Sequence, residues 1–393
     1  MRGLLRGRSQ ILAVLLALLA PLGAAAETPQ TSVPHVILVD AATGTVLFEK
    51  GADDPVTPAS TVKIMTAELV FEALASGKLA LTDALPVSEA AWRQGGAPSH
   101  GSSMFAVLNS RVPVEDLIRG LVIDSGNDAA IVLAEGIAGS EGAFATRMTT
   151  RARELGLTHS TFTSAWGRAD PEQKVSARDM AVLAAHLIAT YPAYYKYFAE
   201  RDFTWNKIHQ TNRNPLLAMD LGADGLKTGN IDASGYGLVG SAVQNGQRLI
   251  LVIYGAATAK ERAEEARRIL QWGFRSFETR QVFKPGEIVG RARVYGGAAG
   301  SVDLVADRAV TLLVPRDATE RLSGRIVYTG PLIAPVAADA PVGHLKISRG
   351  ALEVLDVPLR TAADVPVGSL PRRAMDAGLE YVGGVVRGYI AKR

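Results

Sequence analysis

Apolar positions along this chain change their period several times, and each change predicts an element. In HVILVDAATGTVLFEKGAD, residues 35–53, two β-rich runs flank Ala42-Thr43-Gly44, the pattern of a β-hairpin. From Ser60 the spacing turns helical. Ile64, Ala67, Leu69, Val70, Ala73 and Leu74 leave little polar face in IMTAELVFEALASGK. Such a helix is expected to be buried, with Gly77 and Lys78 at its C-terminal stop. Residues 80–190 read mostly as helices. VPVEDLIRGLVI and DAAIVLAEGIAG meet at Asp124-Ser125-Gly126-Asn127, and FATRMTTRARELG and ARDMAVLAAHLIATY follow. The period then returns to two: GYGLVGSAV and QRLILVIYGA flank Asn245-Gly246, a strong hairpin signal. ERAEEARRILQWGFRSF predicts a last helix.

Strands, a helical block, then strands and a helix predict an α+β fold, an antiparallel sheet with helices packed on it. Residues 27–280 are assigned to this main domain. Past Lys284-Pro285-Gly286, short alternating runs such as SVDLVA, AVTLLVP, GRIVYTG and ALEVLDVPL are separated by proline and glycine. They predict a small β-rich domain over residues 285–367.

The two ends carry different signals. Arg2, Arg6 and Arg8 precede the apolar run Ile11–Leu19 and the small residues Ala24-Ala25-Ala26. Residues 1–26 therefore read as a secretory signal peptide, too short in its apolar run for a comfortable membrane span. In PRRAMDAGLEYVGGVVRGYIAKR, Met375, Leu379, Val382, Val386 and Tyr389 fall on one helical face, with Arg372, Arg373, Arg387, Lys392 and Arg393 around it. Residues 370–393 are expected to form an amphipathic helix at a membrane surface; the plainer alternative is a helix docked on the protein's own core.

The leader changes the charge picture. Removing its three arginines from 42 basic residues leaves 39, against 39 acidic ones. No global basic field then remains to attract nucleic acid. The chain has no cysteine, which excludes thiol catalysis, Cys-based metal sites and a disulfide scaffold. Its six histidines show no metal-ligand spacing, and no metal or other cofactor is implied.

Three short motifs stand in order: Ser60-Thr-Val-Lys63, Ser125-Gly-Asn127 and Lys227-Thr228-Gly229. Each has a plain reading: a helix cap, an interhelix turn and a strand end. Together, at a helix start, an interhelix loop and a strand, they suit nucleophilic catalysis. A helix brings residues i and i+3 to one face, so Ser60 can meet Lys63. A serine hydroxyl needs a neighbour to take its proton. Lysine can do so when burial and a second cation, here Lys227, favour its neutral form. Ser125 can relay a proton to a leaving amine, Asn127 can hold lysine or substrate amides, and Thr228 with nearby basic residues can bind a carboxylate.

This trio resembles the signature of the penicillin-binding serine acyltransferases. More closely, ASTVKIMTA, SGNDAAIVLAEGIAGS and DGLKTGNIDASGYGLVGSA resemble the low-molecular-mass D-alanyl-D-alanine carboxypeptidases, over nearly the whole chain after the leader. NSRVPVEDLIRGLVI and QWGFRSFE add to the likeness. The resemblance implies a DD-peptidase fold related to β-lactamases, with a helical subdomain, a small β domain and a C-terminal membrane anchor. It implies Ser60 as acyl-forming nucleophile, Lys63 as its base, and Ser125 and Asn127 on a second wall. Lys227, Thr228 and Gly229 would form a third wall on an edge strand, with the backbone N–H groups of Ser60 and Asn230 in an oxyanion hole. Arg262 falls where the family has an arginine near the substrate carboxylate, although a solvated charge at a helix start is as good a reading, and Arg213 is a weaker candidate. The implied substrate is the peptidoglycan stem pentapeptide, the implied covalent ligands are β-lactams, and the implied location is the periplasmic side of the bacterial inner membrane. Asn230 departs from the histidine or other bulky residue often found after Lys-Thr-Gly. A β-lactamase is one alternative, but no E-x-x-L-N segment lies between Asn127 and Lys227, and the second motif is Ser-Gly-Asn rather than Ser-Asp-Asn; an endopeptidase acting on cross-links is a nearer variant, against which the β domain and anchor favour a carboxypeptidase. A structural envelope protein with an unused site is another.

Overall fold

A computed structural model describes residues 28–231, 235–316, 322–349 and 352–378. The expected leader, residues 1–26, and residues 379–393 of the expected tail helix lie outside the described residues. The chain enters on strand β1 (His35–Asp40), turns through Gly44 at φ 70° and returns as β2 (Val46–Lys50). Helix α1 (Lys63–Ala75) follows, and β3 (Ala84–Pro86) pairs with β4 (Arg111–Pro113). The helical block comprises α2 (Val114–Val122), α3 (Asn127–Ala138), α4 (Glu141–Glu154) and α5 (Ala177–Thr190), then the short α6 (Pro192–Tyr195). A small hairpin, β5 (Asp202–Trp205) and β6 (Ile208–Thr211), precedes three long strands, β7 (Ala223–Ile231), β8 (Gly235–Gln244) and β9 (Gln247–Ala256), and helix α7 (Ala259–Ser276).

The main sheet has the order β2-β1-β9-β8-β7, every pair antiparallel. Side chains on a strand alternate between faces, and here both faces are apolar. Ile37, Val39, Val239, Ile250 and Val252 bury into a core shared with α1, α2, α3 and α5. Val36, Leu38, Leu238, Leu249, Leu251 and Ile253 bury against α7, whose inward stripe is Ala266, Ile269, Leu270 and Phe274. Each fully buried aliphatic side chain contributes about 1.5–3 kcal/mol, so the sheet is held from both sides and its edge strand β7 is fixed in position.

Most α1 side chains from Lys63 to Leu74 are buried, as its weak amphipathicity predicts. Asn245 and Gly246 both take positive φ, 51° and 79°, at the β8–β9 turn, which suits strands twisting right-handedly. Helix caps are side-chain made at α4, α5 and α7, where Ser140, Ser176 and Thr258 accept from the backbone N–H three residues on.

Strands β10 (Phe277–Phe283), β11 (Ile288–Tyr295), β12 (Ser301–Val305), β13 (Val310–Pro315), β14 (Leu322–Tyr328), β15 (Leu332–Ile333), β16 (Pro341–Arg349) and β17 (Leu352–Thr361) make up the β-rich remainder. β10 pairs with β13, and the others form a sheet in the order β14-β16-β17-β12-β11-β15 around a separate core that includes Leu304, Leu312, Leu345 and Leu359. Residues 370–378 are helical. Among the described residues, no helix is long and apolar enough to cross a membrane.

Candidate active site

Ser60 lies in the 3-10 turn Ala59–Val62, and Lys63 is the first residue of α1. The sequence predicts one helix from Ser60 onward; the first turn is instead wound tighter. In a 3-10 turn positions i and i+3 eclipse, which brings the pair together. Lys63 Nζ donates to Ser60 Oγ at 3.0 Å, to Asn127 Oδ1 at 2.8 Å and to the Trp166 carbonyl at 2.7 Å. Ala59, just before the serine, is held at φ 50°. A residue with a Cβ resists this left-handed region, so its surroundings must impose it. Gly167 presses on that point: a Cβ there would stand 2.1 Å from the Ala59 carbonyl oxygen. The loop carrying Trp166 and Gly167 is tied down by Thr66 Oγ1, which donates to the Ala165 carbonyl at 2.6 Å, and by Ser164 Oγ, which accepts from the N–H groups of Gly167 and Arg168.

A second wall is the turn between α2 and α3. Ser125 is buried, takes φ 59° and has an Oγ that hydrogen-bonds to no described residue. Asn127 opens α3. Buried Asp128 accepts from Ser103 Oγ at 2.7 Å and from the N–H groups of Met104, Ala106 and Ala129 at 2.9–3.0 Å. It thereby pins the segment Ser103–Ala106 beside α3.

The third wall is β7, an edge of the main sheet. Lys227 and Thr228 are buried on it, and Asn230 is exposed. A Cβ at Gly229 would lie 2.9 Å from the Pro58 carbonyl oxygen and 3.3 Å from Ser60 N. Glycine is what lets the edge strand pass so close to the serine backbone. Asn230 pairs with Tyr236 across the ladder, and Arg262 stacks over the Tyr236 ring at 5.7 Å. Arg262, in the first turn of α7, is half-buried, and its Nε is buried with no hydrogen-bond partner. Arg213 follows β6 and donates to Ser102 Oγ beside the second wall.

The electrostatics are set by burying several cations together. Burial holds the Lys63 ammonium well below the usual lysine range, and the charges of Lys227 and Arg213 depress it further, against a small opposing pull from Asp128. Lys227 is pushed down to about 7 by burial, then by Arg213 and Arg262. Asp124, buried with an unpartnered Oδ1, is pushed up to about 7 by burial, with Arg213 opposing. A lysine beside serine that is easily made neutral is a base, and a second cation that can stay charged is an anion anchor. Among the described residues no acidic and histidine cluster could hold a metal ion.

Ser60, Lys63 and Asn127 are thus joined by direct hydrogen bonds, while Lys227 and Arg262 act on them or on each other through charge. The motif reading does not find the Trp166 carbonyl, because a backbone acceptor leaves no side-chain signature. Nor does it find Asp128, whose only signal is its position directly after Ser-Gly-Asn.

The fold and this site define a serine peptidase. The chain belongs to the D-alanyl-D-alanine carboxypeptidase family, peptidase family S11, whose profile matches residues 23–258. A second profile, that of the C-terminal domain of penicillin-binding protein 5, matches residues 277–367. The D-alanyl-D-alanine carboxypeptidase DacC of Escherichia coli is 39% identical over 383 residues, 96% of this chain and 94% of that protein. DacA of Haemophilus influenzae is 37% identical, covering 86% of each. The crystal structure of penicillin-binding protein 5 from Haemophilus influenzae superposes with a TM-score of 0.80 at 37% identity, covering 86% of this chain and 99% of that one. Penicillin-binding protein D2 of Listeria monocytogenes, solved in its ampicillin-bound form, matches with a TM-score of 0.57 at 29% identity over 63% of this chain and 99% of that one.

Proposed function

We propose that the chain removes the terminal D-alanine from peptidoglycan stem pentapeptides through an acyl–Ser60 intermediate, and that β-lactams acylate the same oxygen. The observation that carries this reading is Lys63 Nζ, buried and 3.0 Å from Ser60 Oγ, with burial and neighbouring cations lowering the cost of its deprotonation. Lys63 takes the proton of Ser60 Oγ as that oxygen bonds to the scissile carbonyl carbon. The backbone N–H groups of Ser60 and Asn230 receive the developing oxyanion. Ser125 passes a proton to the leaving nitrogen as the amide C–N bond breaks, freeing D-alanine. Water then cleaves the Ser60 ester and returns the enzyme. Asn127 orients Lys63 and the peptide; Lys227, Thr228 and Gly229 bind the far side of the substrate; Arg262 takes part in holding its carboxylate. In a β-lactam the leaving nitrogen stays tethered to the acyl group, so the ester persists.

The domain reading goes with this one: a catalytic domain over residues 27–280, a β-rich domain over 285–367 and a membrane-associated segment over 370–393. Helical residues 370–378 leave Leu370 and Met375 exposed, which supports association with a surface outside the protein's own core. An exported leader and this segment put the enzyme on the periplasmic face of the inner membrane.

Intact mass spectrometry after benzylpenicillin, paired with D-alanine release from a D-Ala-D-Ala peptide, tests the reading. A stable adduct of one penicillin on Ser60 and release of D-alanine are expected, and both disappear in Ser60→Ala. Rapid turnover of the penicillin with no D-alanine release would point to a β-lactamase instead.

A further inference from the structure

The β-rich domain exposes an apolar side chain where its own strand pattern would put a polar one. In β15, Leu332 and the following Ala334 pack toward the domain core, while Ile333 points outward with 76% of its surface exposed. Leu370, at the start of the terminal helix, is 78% exposed; these are the two most exposed large apolar residues among the described ones. Single exposed aliphatics need no explanation, but a cluster does.

These residues cluster around one three-residue segment, Tyr295–Gly297. Ile333 pairs with Tyr295, and the Ala334 N–H donates to the Tyr295 carbonyl at 3.1 Å. The Gly368 N–H donates to the Gly296 carbonyl at 2.9 Å, and the Gly296 N–H donates to Asp376 Oδ2 at 2.9 Å. Gly297 bridges to Val367, itself exposed. The end of β11 thus joins β15 to the first turns of the terminal helix, and Ile333, Val367, Leu370 and Met375 all lie exposed at this end of the domain.

Charge selects the occupant. Residues 370–393 carry five basic and two acidic residues. One of the two acids, Asp376, is turned inward onto Gly296, and Arg373 is exposed. Outward aliphatics on a segment whose sequence carries net positive charge suit an anionic lipid surface. Pro331 and Pro335 bracket the protruding residue and restrict the backbone around it.

We propose that the β15 segment, through Ile333, is a second lipid contact, so that the β-rich domain itself rests on the bilayer interface and the terminal helix is one of two attachment points. This rests on the membrane-association reading of residues 370–393. Two contacts on one domain fix its tilt, which a single attachment point cannot do.

Because the chain has no cysteine, Ile333→Cys, Met375→Cys and Val107→Cys each give a single labelling site in the full mature protein. Each variant carries an environment-sensitive fluorophore and is mixed with vesicles of phosphatidylglycerol and phosphatidylethanolamine. The expected result is a blue shift at positions 333 and 375 and none at 107. A shift at 375 without one at 333 overturns the second contact and leaves the tail as sole anchor. No shift at either position removes the membrane reading and the proposal with it. A shift at 333 that follows protein concentration and not lipid overturns it in favour of self-association. In the unlabelled protein, Ile333→Ser weakens vesicle affinity about tenfold and leaves hydrolysis of a soluble peptide unchanged; equal affinity would sink the proposal.

Discussion

Lys63 Nζ donates to Asn127 Oδ1 across 2.8 Å, linking the first residue of α1 to the first residue of α3. The bond fixes a long, fully buried side chain beside Ser60. Asn127→Ala removes its acceptor and frees the amine to wander, so kcat/KM for peptide and the penicillin acylation rate are expected to fall about a hundredfold. Asn127→Asp keeps the shape and adds a negative charge, which raises the Lys63 pKa. Its residual activity should therefore return at higher pH, whereas that of Asn127→Ala should not. The pH profiles of the two variants check this.

The cation cluster predicts the pH dependence of the wild-type enzyme and how it moves. Acylation rises with pH as Lys63 passes through its depressed pKa, and anchoring of a carboxylate falls as Lys227 loses its proton above about 7. Arg213 depresses both lysines. Arg213→Ala should then raise both and shift the whole bell of kcat/KM to higher pH by about half a unit. An unmoved profile would show that this arginine's charge is screened from the site.

Burying Lys227 costs the fold stability. Its folded pKa of about 7 lies below the unfolded lysine value, so between those pH values the unfolded chain holds a proton that the folded chain lacks. Stability therefore rises with pH across that window, and at neutral pH the lysine is a burden on the order of a few kcal/mol. Lys227→Met removes it at similar volume. Thermal melts at pH 7 should show a midpoint raised by about 2–5 °C, with carboxypeptidase activity lost.

Gly167 is required by the packing of its neighbour. With φ 93° and a Cβ that would meet the Ala59 carbonyl oxygen at 2.1 Å, Gly167→Ala must move backbone on one side or the other. We expect a loss of about 2–4 kcal/mol in denaturant unfolding and slower acylation, because Ala59 sets the approach of Ser60.

Asp128→Ala leaves the N–H groups of Met104 and Ala106 without their acceptor. Each buried donor so orphaned costs about 1–3 kcal/mol, and the Ser103–Ala106 segment should loosen. Hydrogen exchange at Met104 and Ala106 is expected to accelerate, with KM raised more than kcat is lowered.

Much of this was legible in the sequence for a physical reason. Strands such as QRLILVIYGA bury both faces, and α1 is apolar nearly all round, so burial is written directly into residue type. Ser60, Lys63 and Asn127 are legible because their chemistry demands those side chains. The tighter turn at Ala59–Val62 is not legible, since φ 50° at an alanine accompanies a close approach of Gly167, more than a hundred residues away. Hairpin β5–β6 is also missed: its residues alternate weakly, and its order comes from contacts such as Gln210 Nε2 donating to the Ser103 carbonyl at 2.9 Å. Arg262 illustrates the limit from the other side. Spacing cannot tell a solvated charge from one stacked on Tyr236 with a buried Nε.

The three acceptors around Lys63 have a consequence for direction. An ammonium has three protons and can serve Ser60 Oγ, Asn127 Oδ1 and the Trp166 carbonyl at once. A neutral amine has only two protons and one lone pair. The amide oxygen and the carbonyl can only accept, so they claim both protons, and the lone pair is left facing the one neighbour that can donate. Losing a single proton thus reverses the polarity of the Ser60–Lys63 bond without moving a heavy atom. In this arrangement the serine becomes a proton donor by subtraction.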